Sequence, residues 1–195
     1  MILVFGATGN VGGAVVRELA VAGSEVRAVV RQPEGASLPA GVEAVAGDLA
    51  DVATLRPSLA GIDAAFLMSG YDGIDDLVPQ MTAAGVERVV LLSSSAAPSA
   101  DLSNAVARYH IMSEQVVRDA GVAWTFLQPN KFRAALQRCP ARARLAQVSL
   151  RGHTTARGRL RRRIAPTTAR RGRGGQGERL EQIRRDGLVA HGPRR

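Results

Sequence analysis

Directly after the apolar run Ile2-Leu3-Val4-Phe5 the chain reads Gly6-Ala7-Thr8-Gly9-Asn10-Val11-Gly12 and then takes on helical spacing. Each glycine in that pattern has a separate physical use. Gly6 permits a tight turn, Gly9 lets backbone approach a phosphate-bearing ligand, and Gly12 lets the helix pack close to the strand. Free N–H groups at the helix start, aided by the helix dipole, are suited to a dinucleotide diphosphate. A glycine pattern alone is weak. Its place at a strand–helix junction makes it specific, and the alternative is a tight turn without ligand.

The second candidate is Arg31, at the end of the run Glu25–Val30. Sites for NAD(H) usually place a carboxylate there for the ribose 2′-hydroxyl, whereas this chain has Arg31-Gln32 and no carboxylate before Glu34. A guanidinium can clamp a 2′-phosphate through paired hydrogen bonds, so the expected cofactor is NADP(H) in preference to NAD(H). The alternative is a solvated loop arginine.

These residues need a scaffold, and the hydropathy pattern supplies one. Ile2–Phe5, Glu25–Val30, Val42–Ala46, Ala64–Met68, Arg88–Leu92 and Trp124–Leu127 read as short buried strands. Between them, Asn10–Ala22, Asp51–Leu59, Asp75–Ala84 and Asn104–Ala120 carry helical spacing, with Gly23 and Gly121 as stops. On the last helix Val106, Tyr109, Met112, Val116 and Ala120 form an apolar side expected to face the core. Alternating strands and helices predict an α/β fold: a Rossmann-type doubly wound parallel sheet with helices on both faces. Its ligand crevice would lie at the carboxyl ends of the strands.

The net charge of +9 conceals two unlike segments. Residues 1–130 hold seven Arg, no Lys and fourteen acidic residues; residues 131–195 hold eighteen Arg, one Lys and three acidic residues. Of residues 133–195, 38 of 63 are Arg, Ala, Gly or Pro, and no aromatic follows Phe132. Such a composition cannot bury enough apolar surface to offset chain entropy, so disorder is expected. The chain therefore divides into a nucleotide-binding domain, 1–132, and a basic low-complexity tail, 133–195. Out-of-frame reading of GC-rich DNA yields this composition, and a frameshift near residues 132–140 would account for it. The alternative is a genuine basic tail, the one circumstance in which nucleic acid is an expected partner.

No apolar run is long enough to span a membrane, and Met1 leads into the first strand without a basic leader. The single cysteine, Cys139, fits a reducing compartment. A cytoplasmic location is expected, with no specified oligomeric state. No Cys/His cluster suggests a metal, since His153 and His191 lie in the arginine-rich tail.

The motifs GATGNVG, VVRQP, Gly47-Asp48-Leu49, LLSSS at 91–95 and Ala120-Gly121-Val122-Ala123-Trp124-Thr125 together resemble the atypical short-chain dehydrogenase/reductases of the NmrA-like type, over residues 1–132. The resemblance implies an NAD(P)-binding Rossmann fold that works in quinone-type reduction or in redox sensing. It implies that Asp48 and Leu49 lie beside the adenine, and Leu67, Met68 and Ser69 beside the cofactor ribose. Ser93 and Ser94 would flank the nicotinamide side. Gln128-Pro129-Asn130 resembles the segment bordering the substrate pocket, so Tyr109, Gln128 and Asn130 are the pocket candidates.

One departure bears on chemistry. Standard members of the superfamily use a Ser, a Tyr and a Lys four residues after the Tyr, the Lys lowering the phenol pKa. Here Ser95 and Tyr109 are suitably spaced, but the fourth residue on is Ser113, and no lysine precedes Lys131. Arg108 and His110 each point about 100° around the helix from Tyr109. A Tyr–Lys proton relay is not expected, and Tyr109 reads as a core-facing aromatic. His110 and Glu114, four apart, read as an exposed helix-stabilising pair, although NmrA-like proteins commonly carry an acidic residue at a position like Glu114. The expected function is an NADPH-dependent oxidoreductase acting on a quinone-like or other small carbonyl acceptor. The alternatives are a non-catalytic NADP(H) sensor and a remnant without a substrate pocket.

Overall fold

The computed structural model describes residues 1–99, 101–129 and 189–191. Short strands of β-branched and aliphatic residues form β1 (Ile2–Val4), β2 (Val26–Val30), β3 (Glu43–Ala46), β4 (Ala64–Met68), β5 (Arg88–Leu92) and β6 (Ala123–Leu127). They pair in parallel in the order β3-β2-β1-β4-β5-β6. The chain thus winds outward from β1 in both directions, and the crevice opens where the winding reverses, between β1 and β4.

Alternation along each strand divides the core in two. Leu3, Phe5, Leu67, Leu91 and Phe126 pack on one face with Leu77, Met81 and Val117. Val4, Phe66 and Val90 pack on the other with Val15, Val16 and Leu19. The first face is covered by helices α2 (Ile74–Ala83) and α3 (Ala105–Asp119), the second by α1 (Asn10–Val21). Each fully buried Leu, Val or Phe contributes about 1.5–3 kcal/mol, and these two layers hold the strand ends in register.

Two expectations are corrected. Asp51–Leu59 is not an α-helix: Val52–Leu59 is 3₁₀, with the Asp51 side chain accepting from the Ala53 N–H. Pro57 inside this segment lacks the N–H that an α-helical turn would need. Secondly, the inward face of α3 differs from the expected one over its first half, while Val116 and Ala120 pack against the core as expected. Val106, Tyr109 and Met112 are 52%, 41% and 60% exposed, while Ala107, His110, Ser113, Glu114 and Val117 face inward. Polar residues go inside because polar partners wait there. One short element adds to the expected ones, at Val189–His191. These residues form a seventh strand, β7, antiparallel to β6 through Thr125↔His191, Phe126↔Ala190 and Leu127↔Val189. The open edge of β6 offers unpaired backbone groups, and Val189-Ala190 is a short uncharged run able to take them.

Among the described residues, no helix is long and apolar enough to cross a membrane, and no group of three or more His, Cys, Asp or Glu could hold a metal ion.

Candidate functional site

The glycine loop joins β1 to α1 as the spacing predicts. Gly6 takes φ +63°, a left-handed value that glycine adopts without strain, and its carbonyl accepts from the Gly9 N–H at 2.9 Å. A Cβ on Gly12 would overlap the Gly6 carbonyl oxygen and lie 2.9 Å from that of Phe5, so only glycine allows the helix this close. Gly9 caps α1 with extended backbone and no side-chain hydrogen bond, and the first turn holds no acidic residue. The first intrahelical bond in this turn runs from the Gly13 N–H to the Gly9 carbonyl, so Asn10, Val11 and Gly12 present amides that the helix does not use. A diphosphate fits this cradle: it needs bare amides at a positive helix end and close backbone approach, and both are present.

The residues predicted around this loop converge in part. Thr8 is exposed and lines a cavity of about 460 Å³ together with Val30, Arg31, Gln32, Gly35 and Ala36. The carboxyl end of β2 therefore brings Arg31 to the glycine loop. Met68, at the end of β4, lies over Gly6, since a Cβ there would meet its thioether. Asp48 is exposed beyond β3, its Oδ1 accepting from the Ala50 N–H at 3.0 Å, and Leu49 packs half-buried against the first core face.

At the ends of β4, β5 and β6 the structure assembles a polar network against α3. Ser69 Oγ donates to the Leu92 carbonyl at 3.0 Å and lies 2.6 Å from His110 Nδ1. With the hydroxyl hydrogen so placed, Nδ1 carries the hydrogen and donates to Ser69. The Glu114 carboxylate is buried and accepts from three donors. These are Ser93 Oγ at 2.6 Å, Gln128 Nε2 at 2.7 Å and Arg118 at 2.7 Å. The Arg118 guanidinium in turn lies over the stacked rings of Trp124 and Phe126. Desolvation by burial holds His110 below the usual histidine range, while the Glu114 charge pulls the other way.

The reading of His110 and Glu114 as an exposed pair is overturned, since both are 2% exposed. Ser93 and Ser94 sit at the end of β5 as expected and are buried. The Ser93 hydroxyl is engaged by Glu114, and Ser94 Oγ accepts from the Ala96 N–H. Gln128 is also buried in this network. Asn130 lies outside the described residues.

Tyr109, expected to face the core, instead borders a cavity of about 500 Å³ with Ser69, Gly70, Tyr71, Met112 and Ser113. Its ring packs over Gly70, whose φ of +93° places it in the left-handed region. Ser113, where a lysine would complete the relay, donates to the Tyr109 carbonyl at 2.8 Å and accepts from the Gly70 N–H at 3.3 Å. That hydroxyl is spent on backbone. Sequence reasoning missed Tyr71, whose phenol is pushed up to about 12 by burial and so stays protonated. Its position just past a strand's carboxyl end is the signal that could have found it. Tyr71 and Tyr109 bring two phenols to the lining of this cavity, whereas the Ser69 hydroxyl hydrogen is held by the Leu92 carbonyl.

Comparison with known proteins agrees with this geometry. Residues 6–160 match the NAD(P)H-binding family. The chain belongs to that family. The match continues past residue 132, where the resemblance read from sequence motifs ended. A (4-alkanoyl-5-oxo-2,5-dihydrofuran-3-yl)methyl phosphate reductase of Streptomyces griseus is 42% identical over 136 residues, 68% of this chain and 48% of that protein. Among solved structures, the Citrobacter sp. triphenylmethane reductase complexed with NADP(H) has 29% identity and a TM-score of 0.59, covering 68% of this chain and 50% of that one. The NADPH-dependent quinone oxidoreductase of Escherichia coli complexed with NADPH has 26% identity and a TM-score of 0.56, covering 66% and 48%. The chain spans about half the length of each of these relatives.

Proposed function

We propose that this chain forms the cofactor-binding part of an NADPH-dependent oxidoreductase whose acceptor is quinone-like or another small carbonyl compound. The observation that carries the reading is the glycine loop: three first-turn amides left unused by the helix, with Arg31 at the adjoining strand end. Asn10, Val11 and Gly12 would hold the diphosphate, Arg31 the 2′-phosphate, and Asp48 and Leu49 would border the adenine. NADPH supplies a hydride there. The three similar proteins described above are all reductases or oxidoreductases, and two were solved with NADP(H) or NADPH. Their acceptors differ from one another, so the class rather than the compound is proposed here. The small-molecule acceptor would enter the cavity of Ser69, Tyr71 and Tyr109. Hydride transfer to a quinone needs a positioned cofactor more than a strong protein acid, so Ser113 in place of lysine is compatible with turnover.

Preference for NADP(H) over NAD(H) is part of the same reading. Arg31→Asp should reverse the ratio of dissociation constants, and an unaltered ratio would make Arg31 a bystander. The cytoplasm, which holds NADPH and keeps a lone cysteine reduced, is the proposed location. We further propose that the dinucleotide-binding domain ends near residue 132, where the charge changes sign. A neighbouring frame of the coding DNA that restores alternating strands and helices would support a frameshift origin for residues 133–195. Gibberish there would favour a genuine basic tail.

A second reading is a sensor that binds NADP(H) without turnover, favoured by the engagement of Ser113 and Ser93 in backbone and carboxylate bonds. Steady-state oxidation of NADPH with a panel of quinones separates the two. Turnover supports the reductase, and tight binding without turnover supports the sensor.

A further inference from the structure

Three of the arginines in the described region have polar partners on the strands and helices. Arg27 pairs with Glu43 and donates to the Ser58 and Ala60 carbonyls, Arg118 pairs with Glu114, and Arg56 donates to Gln80. Arg17 and Arg31 do not: among the described residues neither makes an ion pair. Both flank the same residue. Thr8 lines the cavity of Arg31 and also a second one, of about 310 Å³, bounded by Gly9, Gly13, Arg17, Ser37 and Pro39.

Arg17 reaches this place because of its helix. It stands one turn beyond Gly13 on α1, and helical side chains lean toward the N-terminus. A Cβ on Gly13 would lie 3.5 Å from an Arg17 guanidinium nitrogen, so the charged group lies back along the helix toward the glycine loop. A side chain at position 13 would compete for that space. Ser37 and Pro39 close the cavity from the segment that follows Arg31.

We propose that Arg17 is a second cation for the ribose 2′-phosphate of NADP(H), facing Arg31 across Thr8. The inference rests on the reading that the glycine loop holds NADP(H), and it adds a specificity determinant on α1 to the one at the end of β2. A phosphate monoester carries up to two negative charges near neutral pH, and guanidinium groups on two sides match that charge better than one. The unphosphorylated ribose of NAD(H) offers Arg17 nothing comparable.

The test is equilibrium binding by the full chain, with NADPH, NADH and 2′-AMP as probes, for the native protein, Arg17→Ala and Arg31→Ala. Arg17 is exposed, so its removal should leave the melting temperature unchanged. The expected result is about a tenfold weaker affinity of Arg17→Ala for NADPH and for 2′-AMP, with NADH unaffected. Equal weakening of NADPH and NADH would place Arg17 on the diphosphate and overturn the assignment. Unchanged binding in Arg17→Ala, with NADPH lost in Arg31→Ala, would also overturn it while leaving the cofactor reading intact. A native protein that binds neither nucleotide would remove both.

Discussion

Ser69 at the end of β4 and His110 on α3 meet at 2.6 Å, Oγ to Nδ1, although 41 residues separate them in the chain. The contact ties the strand end beside the crevice to the helix behind it. It also buries an imidazole that water would otherwise protonate near neutrality.

That burial has a pH signature. Desolvation lowers the His110 pKa in the folded state, so below the unfolded value of about 6.5 the unfolded chain binds more protons than the native one. The contribution is fully present above about pH 6.5 and is lost as pH falls toward the lowered folded pKa. Denaturant unfolding at about pH 7.5 and pH 5 should show the native protein losing more stability than His110→Gln, which keeps polar groups but does not titrate in this range. Parallel losses in the two proteins would contradict the account.

Glu114 holds three donors at once. Glu114→Ala strands the buried Ser93 and Gln128 groups, while Arg118, more than one-third exposed, can turn to water. The expected loss is about 2–4 kcal/mol, made up of broken charge-assisted bonds and uncompensated burial. Chemical denaturation measures it, and a loss below about 0.5 kcal/mol would show the network to be dispensable.

Gly12 and Gly9 should respond differently to the same small addition. Gly12→Ala forces a Cβ into the backbone of Gly6, so both stability and nucleotide binding should fall. At Gly9 an added Cβ would meet the Gly6 oxygen at 3.2 Å, a tight but tolerable contact, and φ is −83°. Gly9→Ala should stay folded by thermal melting and weaken binding by crowding the ligand. Equal melting temperatures for Gly12→Ala and the native protein would refute the packing role of Gly12.

Much of this was legible locally. The glycine loop announces itself because turn, cap and close approach are each fixed by one residue and its neighbours. The strands of the parallel sheet were visible because both faces are buried, and Ala64–Met68 and Arg88–Leu92 match the expected boundaries. The inward face of α3 over its first half was not legible. Its apolar stripe through Val106, Tyr109 and Met112 suggested the inner face, but Ser69, Ser93 and Gln128 supply hydrogen bonds that make His110 and Glu114 the better inward residues. Those partners are distant in sequence, and no helical period reports them. β7 was missed for a similar reason, since its pairing depends on the free edge of β6 rather than on its own three residues.

With Ser113 where a lysine would stand, the Tyr109 phenol should not be the essential proton donor. If the chain turns over NADPH, Tyr109→Phe should keep kcat within about threefold and change chiefly the acceptor KM, because the ring borders the cavity. A fall in kcat of about a hundredfold or more with KM unchanged would restore the phenol to the chemistry.

The central claim is that the amides at the start of α1 hold the diphosphate of a pyridine nucleotide. Calorimetric titration of the full chain with NADPH tests it directly. The account predicts saturable heat at one nucleotide per chain, abolished by replacing Gly9 with a bulky residue. No heat from NADPH or NADH, in a protein shown to be folded, would contradict it.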